Sequence, residues 1–372
     1  MFIATLKRNT KMKINQWIKS IVRVRVPRNH NHENLRCDYA ERLNNYSQKF
    51  FEDFLSTVSQ EDFITYPSYK DYQHLKEQIG KNVGVSAENI LLGTGSGACI
   101  KDLIHVTCEQ GSNIVSSSHC YPMYFVYGET FEADFIRIPY EDNGSFELSS
   151  IMEAVNYRTR LVILTNPNSP YGDYRDPSEL EPLCEFLEAQ DIILLIDEAY
   201  VDFAPSHCLD LLEKYKNVII SRTFSKAWGA AGTRIGYLIS NRTLIDLVSR
   251  VQLTYPVTGI GLKFILFLLK NSDEIKKYAK TTIKDRDTLC DMLEHAGYDV
   301  LRSHTNTIHF HEKHGDNQKT IDILTKHGVS FKSGQMTTST PVSIPGDKRS
   351  TWIRLSVGPN IHNFDFIKEI IK

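Results

Sequence analysis

Several features that would place this 372-residue chain in a specialised class of protein are missing. No apolar run approaches the roughly 20 residues that a membrane-spanning helix needs, so we expect no membrane span. The formal net charge is only −2 at pH 7, which gives no reason to expect a nucleic-acid partner. The seven cysteines are widely spaced and form no CxxC pair, a pattern typical of reduced thiols in a cytoplasmic protein.

Metal-binding motifs are missing as well. His309, His311 and His314 lie close together in the sequence, but no HExxH or facial-triad pattern accompanies them. We interpret this stretch as a strand over residues 307–310 that runs into a polar turn, and we expect no metal site.

Acidic residues are absent from residues 1–32, although this segment contains eight lysines and arginines. It lacks the continuous apolar stretch of a secretory signal. The pattern fits an organelle transit peptide or a helix on a membrane surface. It equally fits a simple basic arm, or a start of translation at Met12. We treat residues 1–32 as a separate N-terminal arm whose purpose stays open.

Beyond the arm, helical and strand patterns alternate along the chain. Buried strands are predicted at residues 89–92, 113–116, 135–139, 161–165, 192–196, 218–220 and 235–239. This alternation indicates an α/β fold, with a mostly parallel seven-stranded sheet sandwiched by helices. After about residue 255, long helices precede short strands, which indicates a smaller α+β domain. We predict an N-terminal segment packing on the small domain (33–60), a large cofactor-binding domain (61–255) and the small C-terminal domain (256–372).

One lysine has neighbours suited to covalent chemistry. Lys226 follows the hydroxyl residues Thr223 and Ser225, and Arg234 comes eight positions later. A lysine forms Schiff bases once its amine loses its proton, and the two hydroxyls with the arginine can hold a phosphate. A lysine beside a phosphate site is what pyridoxal phosphate (PLP) needs. The alternative is a strand end with an ordinary solvated lysine.

A glycine-rich turn, with Ser96 and Gly97 at its end, opens a predicted helix. Glycines let backbone amides approach a phosphate, and the start of a helix favours the negative charge. The turn also matches the glycine motif of dinucleotide-binding sites, which requires an acidic residue at the end of the next strand. That strand ends in serines, so we favour a phosphate loop over a nicotinamide site.

Three further signals follow predicted strands. Asp197 ends a buried apolar run, where a carboxylate needs a partner, and a protonated pyridine nitrogen would serve. Tyr200 is close enough in sequence to reach the ring hydroxyl, and Tyr121 can stack on a flat ring or be a core tyrosine. Two prolines and a glycine around Asn168 and Ser169 predict a rigid turn.

Together these motifs resemble those of fold-type I PLP enzymes, within the histidinol-phosphate aminotransferase-like branch of the class I and II aminotransferases. The resemblance runs from about Glu33 to the C-terminus. It rests on Gly93-Thr94-Gly95-Ser96-Gly97, Asn166-Pro167-Asn168-Ser169-Pro170-Tyr171-Gly172, Asp197-Glu198-Ala199-Tyr200, and Ser225-Lys226 followed by Arg234.

The resemblance implies an aspartate aminotransferase-like fold and a role for each matching residue. Lys226 would bind the cofactor covalently and move the substrate's Cα proton. Asp197 would pair with the pyridine nitrogen, Tyr200 would bond the ring oxygen and Tyr121 would stack on the ring. The phosphate would be held by the amides of Ser96 and Gly97, with Ser225 and Arg234. Tyr66 would reach the cofactor of a partner subunit, which implies a homodimer, and Arg354 would bind a substrate anion.

The sequence departs from the family pattern at two places. Ser169 and Tyr171 replace the second Asn and the Thr of Asn-Asn-Pro-Thr-Gly, so the ring-oxygen contact falls to Asn168 or Ser169, which stays open. Lys332 occupies the position at which histidinol-phosphate aminotransferases have an arginine that binds the substrate phosphate. Lysine binds phosphate without the bidentate fork of arginine. We therefore expect a different small phosphorylated substrate.

The leading hypothesis is a transaminase that takes an amino group from a donor such as glutamate to a small, phosphorylated keto or aldehyde acceptor. The same branch includes threonine-phosphate decarboxylases, so a PLP decarboxylase of phosphoserine or phosphothreonine is the alternative. A PLP-fold regulator or scaffold without activity is the non-enzymatic alternative. The intact set of Lys226, Asp197, Tyr200 and Arg234 argues against it.

Overall fold

The computed structural model describes residues 18, 21, 34–141, 145–333 and 352–372. Apart from two positions, the predicted N-terminal arm lies outside these ranges. The helices are α1 (Gln48–Leu55), α2 (Glu61–Ile64), α3 (Tyr69–Val83), α4 (Ser96–Thr107), α5 (Met123–Thr130), α6 (Leu148–Ala154), α7 (Pro177–Glu188), α8 (Leu211–Lys214), α9 (Arg242–Ser249), α10 (Gly259–Lys270), α11 (Ser272–His295), α12 (Gln318–Lys326) and α13 (Asp365–Ile370). The strands are β1 (Leu35–Arg36), β2 (Ile90–Thr94), β3 (Asn113–Ser117), β4 (Asp134–Ile138), β5 (Thr159–Thr165), β6 (Ile193–Asp197), β7 (Val218–Thr223), β8 (Ile235–Ile239), β9 (Tyr298–Leu301), β10 (Thr307–Glu312), β11 (Val329–Ser330) and β12 (Ile353–Ser356).

The predicted α/β fold is confirmed. In the described ranges the main sheet has seven strands in the order β2-β8-β7-β6-β5-β3-β4. Neighbouring strands are parallel except β8, which runs antiparallel to both β2 and β7. Because β8 is reversed relative to both, β2 points the same way as β7. The carboxyl ends of β2, β3, β5, β6 and β7 therefore meet at one edge, where open α/β sheets bind their ligands.

Helices cover both faces of this sheet. Successive side chains of a strand point to opposite faces, and in β6 Leu194 and Ile196 belong to one hydrophobic core whereas Leu195 belongs to another. Both faces of the central strands are thus buried, as in parallel sheets between helix layers. This explains why the sequence of β6 is apolar throughout and does not alternate with polar residues.

Local sequence signals fix where the helices begin and end. In α3, Ser68 and Asp71 form a reciprocal capping box, and Gly84 ends the helix with φ 80°. A capping box satisfies amides that the first turn leaves without partners. A left-handed terminal residue favours glycine because it has no Cβ.

A second, antiparallel sheet has the order β12-β10-β9. Ile308 and Phe310 of β10 pack into a separate hydrophobic core with Ile353 and Leu355 of β12. Because side chains alternate, residues between them face away from that core. Arg354 is one of these residues. The small sheet thus presents a polar face opposite its apolar one.

The segment before α1 joins this smaller core. β1 pairs in parallel with β11, and Cys37 is buried in the same core, with Leu35 and Leu43 packed against it. The predicted domain boundaries stay predictions. No helix in the described ranges is long and apolar enough to cross a membrane.

Candidate active site

The shared edge of the sheet brings Lys226 close to Tyr200. The Nζ atom of Lys226 lies 5.1 Å from the centroid of the Tyr200 ring and 3.4 Å from the main-chain oxygen of Tyr39. Burial alone would raise the pKa of Tyr200, but Lys226, a hydrogen bond with Ser169 and the charge of Arg354 together lower it. The environment of Tyr200 is therefore electropositive, which suits a site for anionic groups.

Asp197 is the last residue of β6 and is buried. One carboxylate oxygen accepts hydrogen bonds from Ser221 Oγ at 2.6 Å and from the Ala199 amide at 3.2 Å. The other accepts a short hydrogen bond from the Tyr124 hydroxyl. Burial raises the pKa of Asp197, whereas these donors and the charge of Lys226 oppose the rise. Such a carboxylate is oriented and ready to pair with a cation.

The hydroxyls of Ser221 and Tyr124 were not predicted as site residues. Ser221 is the partner of Asp197 in the register between β6 and β7, so its role depends on which strands are neighbours. Tyr124 is fully buried in α5 and also lies 3.2 Å from the hydroxyl of Thr165. Tyr121, three residues before Tyr124, is a predicted site residue, and this proximity in sequence is the one signal that could have identified Tyr124.

An anion site lies where the glycine-rich turn enters α4. Gly95 has φ 78°, and a Cβ atom there would lie 2.7 Å from Nη2 of Arg234. The guanidinium group therefore lies directly against the turn, and Arg234 itself adopts φ 56°. A Cβ atom on Gly97 would lie 3.6 Å from the hydroxyl of Tyr121. The turn, Arg234 and Tyr121 thus surround the start of a helix, which favours negative charge.

The hydroxyls before Lys226 contact each other. The Oγ atoms of Thr223 and Ser225 are 3.0 Å apart, and the Ser225 amide donates to Thr223 Oγ1 at 3.2 Å. This local turn links the end of β7 to Lys226. Both hydroxyls lie on the segment that precedes the lysine, and their predicted contact with a phosphate stays a prediction.

Asn168 and Ser169, the two candidates for contacting the ring oxygen of the cofactor, have different partners in the turn after β5. The Tyr200 hydroxyl donates to Ser169 Oγ at 3.4 Å. The amide nitrogen of Asn168 instead donates to the main-chain oxygen of His119 at 2.8 Å and to Asp173 at 3.2 Å. The side chain of Ser169 therefore lies beside that of Tyr200, whereas the side chain of Asn168 stabilises the turn.

Arg354 and Lys332 lie side by side. Their main chains form an isolated antiparallel bridge, with N···O distances of 2.8 and 3.2 Å. Arg354 is buried, and its Nη2 donates to the main-chain oxygen of Asp38 at 2.7 Å. Among the described residues, Arg354 Nε and Asp38 Oδ1 are buried without a hydrogen-bond partner. Burial and the charge of Arg354 lower the pKa of Lys332 to about 8.

Tyr66 lies on the protein surface. Its side chain is 77% exposed, and its ring stacks on Tyr255 with centroids 4.5 Å apart. The predicted reach of Tyr66 into another subunit stays a prediction.

Residues 38–365 match the model of the family described as aminotransferase class I and II. The chain belongs to the class I and II aminotransferases. It is 29% identical over 339 residues to histidinol-phosphate aminotransferase 1 of Carboxydothermus hydrogenoformans, covering 90% of this chain and 92% of that protein.

Two solved structures share the fold of this aminotransferase. The histidinol-phosphate aminotransferase of Sinorhizobium meliloti, in complex with pyridoxal-5'-phosphate, has a TM-score of 0.79 at 23% identity and covers 98% of this chain and 96% of its own. The L-threonine-O-3-phosphate decarboxylase of Porphyromonas gingivalis has a TM-score of 0.69 at 19% identity and covers 89% and 99%. At these identities the likeness shows the fold alone, which is the predicted aspartate aminotransferase-like fold.

The enzyme is a PLP-dependent transaminase of this family, similar in sequence to histidinol-phosphate aminotransferases. Its described residues fit this cofactor. The anion site at the start of α4 suits a phosphate, and buried Asp197 suits a protonated ring nitrogen. Lys226 is the amine whose charge acts on both Asp197 and Tyr200.

Proposed function

We propose that the aminotransferase moves an amino group from an amino acid donor, glutamate, to a small phosphorylated keto or aldehyde acceptor. The observation that carries this proposal is the pair of cationic side chains, Arg354 and Lys332, joined by a backbone bridge. The charges of Lys226 and Arg354 both lower the pKa of Lys332, so the three groups share one electrostatic environment. A substrate with a carboxylate and a second anionic group would satisfy this pair.

We propose the following roles for the remaining residues, and their positions support them. Lys226 holds the cofactor through Nζ and takes the proton from the substrate Cα. Asp197, oriented by Ser221 and Tyr124, keeps the ring nitrogen protonated, and the bound cofactor then supplies an electron sink. When the cofactor is bound, Tyr200 and Ser169 would contact the ring oxygen, and Tyr121 would stack on the ring. Ser96, Gly97, Thr223, Ser225 and Arg234 would hold the phosphate.

The two enzymatic hypotheses give different products. With glutamate as donor, the visible absorbance of the loaded enzyme should shift, and a phosphorylated keto or aldehyde acceptor should restore it. Release of carbon dioxide from phosphoserine or phosphothreonine, without that shift, would favour decarboxylation. Decarboxylation is the second candidate because the structurally similar Porphyromonas gingivalis protein is a decarboxylase with the same fold. A panel of phosphorylated amines with 2-oxoglutarate would identify the acceptor class.

We also propose that the enzyme is a homodimer in which Tyr66 completes the partner's phosphate site. Large exposed aromatic and aliphatic side chains lie near Tyr66, and such surfaces mark interaction sites. Phe63, Ile64 and Tyr69 are near it in sequence, whereas Tyr255 stacks on its ring and Leu253 lies two positions before Tyr255.

Mixing two inactive variants tests the shared site. A dimer of one Tyr66→Ala protomer and one Lys226→Ala protomer contains one complete site, because the intact lysine and intact tyrosine come from different chains. A twofold-symmetric dimer has two sites, and the mixed dimer keeps one of them. We therefore expect each mixed dimer to recover up to about half the activity of a wild-type dimer. Either variant alone should stay weak. No recovery, or sedimentation as a 42.7 kDa species only, would contradict the proposal.

Binding of the second anion should weaken at high pH. Lys332 must be protonated to attract an anion, and its pKa is lowered to about 8 by burial, Arg354 and Lys226 against the opposing charge of Asp38. The attraction is therefore complete well below pH 8 and is lost above it. We expect KM for the phosphorylated acceptor to rise about tenfold between pH 7 and pH 9. Lys332→Arg, whose side chain stays charged, should flatten this profile, and an unchanged profile would exclude Lys332.

We propose a cytoplasmic location for the enzyme. All seven cysteines lie in the described ranges, are buried and carry free thiols. Free buried thiols are typical of a reducing compartment. Fractionation of cells that express the full chain would test this, and recovery in an organelle would favour the transit-peptide alternative for residues 1–32.

A further inference from the structure

Tyr171, which departs from the family motif, occupies the centre of a buried group of rings. Its side chain is buried. Its ring centroid lies 4.9 Å from that of His119, 5.3 Å from that of Tyr140 and 5.9 Å from that of His309. His119 and Tyr140 belong to the large sheet's edge, whereas His309 belongs to β10 of the small sheet. Tyr171 thus contacts both parts of the protein through the turn after β5.

His309 connects this group of rings to Arg354. The two residues are direct partners in the antiparallel register of β10 and β12. Directly opposed residues extend their side chains on the same face, with Cβ atoms about 5 Å apart. Ile308 and Phe310 occupy the apolar face, so His309 and Arg354 share the polar face.

A second contact holds the same turn against the small sheet. The main-chain oxygen of Gly172 accepts a hydrogen bond from the His304 amide at 2.8 Å. Gly172 has φ 83°, and a Cβ atom there would lie 1.9 Å from Ser303 Oγ. Only glycine allows this close approach. The turn that carries Ser169 is therefore packed directly on the segment that leads into β10.

We propose that Tyr171 is a positioning residue that sets the location of Arg354 relative to the cofactor. The inference rests on the proposed function, in which Arg354 and Lys332 bind the substrate anions, and it takes Arg354 as the group that binds the donor carboxylate. Ser169 contacts Tyr200 at one end of the turn, and Tyr171 contacts His309 at the other. These two contacts would fix the distance between a bound donor carboxylate and the cofactor ring. The threonine of the family motif is too short to touch His119 and His309 together.

Binding of succinate, a dicarboxylate without an amine, tests this positioning without chemistry. Calorimetry on cofactor-loaded and cofactor-free protein would give its Kd, and Arg354→Ala should abolish binding to both forms. We expect Tyr171→Leu to weaken succinate binding about tenfold, which is within the range expected for losing its ring contacts. The visible absorbance of the bound cofactor should persist. Tyr171→Phe keeps the ring and should retain most of the affinity.

A matched control is available in the small sheet. Tyr298 is a buried tyrosine whose ring lies 5.6 Å from that of Phe310, on the apolar face. Tyr298→Leu should lower the melting temperature as Tyr171→Leu does, because each removes a buried ring. It should leave succinate binding within about twofold of wild type. Equal weakening in both variants would mean that general loss of stability explains the effect, and would overturn the proposal.

A double-mutant cycle with His309→Leu tests the contact itself. If Tyr171 acts through His309, the double variant should bind succinate about as weakly as the weaker single variant. Multiplied effects, about a hundredfold in total, would overturn the proposal. If Tyr171→Leu fails to fold, His309→Leu alone decides the question, because it removes the same ring contact, and an unchanged Kd in that variant would overturn the proposal. A wild-type protein without visible absorbance or succinate binding would instead contradict the proposed function.

Discussion

Replacing Lys226 by alanine is expected to abolish turnover and to remove the visible absorbance of the lysine-bound cofactor. In the proposed mechanism Nζ both holds the cofactor and moves the Cα proton, so one substitution removes two functions. Proton transfer by a positioned side chain contributes about 10²- to 10⁴-fold to rate. We therefore expect kcat to fall by at least about 10⁴-fold. Steady-state assays with glutamate and an absorbance spectrum would measure both effects.

Two comparisons separate this role from a general effect of charge. Lys226→Arg keeps a cation near Asp197 and Tyr200, but a guanidinium does not deprotonate and cannot form the covalent bond. It should be as inactive as the alanine variant. Borohydride treatment of the wild type should fix the cofactor on the peptide that contains Lys226. Lys332, the other lysine of the site, should stay unlabelled, and a label there or activity in Lys226→Arg would refute the assignment.

The fold was largely predictable because its elements have strong local patterns. The strand predicted at residues 235–239 is β8, Ile235–Ile239. The strand predicted at residues 192–196 is β6, Ile193–Asp197, shifted by one residue because Asp197 still pairs with β7. The reversed direction of β8 was not predicted. Hydrophobic periodicity identifies a strand but carries no information on its direction.

The site was predictable where its chemistry lies in short motifs. Lys226, Asp197, Tyr200 and Arg234 are each marked by their neighbours in sequence. The first three lie at or after the carboxyl ends of parallel strands, and Arg234 precedes antiparallel β8, which begins at the same edge. The different contacts of Asn168 and Ser169 could not be predicted, because both lie in one turn and only the direction of each side chain separates them. Which of the two contacts the cofactor ring stays a prediction.

Residues that act across elements were missed. Ser221 contacts Asp197 because β7 lies beside β6, and this order is not contained in either strand. Tyr171 and His309 are distant in sequence and meet only where the turn after β5 packs on the small sheet. The departure at Tyr171 was visible in the sequence. Its meaning depended on the tertiary contact, as is common for positions that break a family's local pattern.

Replacing Asp197 by asparagine is expected to preserve cofactor binding while slowing the chemical step. Asparagine has nearly the same shape and still accepts a hydrogen bond from Ser221, but it lacks the charge that keeps the ring nitrogen protonated. Without that charge the cofactor is a weaker electron sink. We expect kcat to fall about 10²- to 10⁴-fold, whereas the cofactor should still bind through Lys226 and the phosphate site. Near-normal kcat would contradict the role.

The cofactor-free protein gives a second, independent measurement. Burial raises the pKa of Asp197, so the folded state holds its proton more tightly than the unfolded state. The ionised carboxylate therefore destabilises the fold at pH values above its folded pKa, and this cost disappears as pH falls below the unfolded value. Asp197→Asn removes the cost, so the cofactor-free variant should melt at a higher temperature than wild type at neutral pH. The order should reverse once PLP is bound, because only the wild type gains a charge pair with the ring.

A cofactor methylated on its ring nitrogen tests the same role through the rate. It carries a fixed positive charge and should restore part of the lost rate to Asp197→Asn. No restoration would mean that Asp197 acts other than by keeping that nitrogen charged.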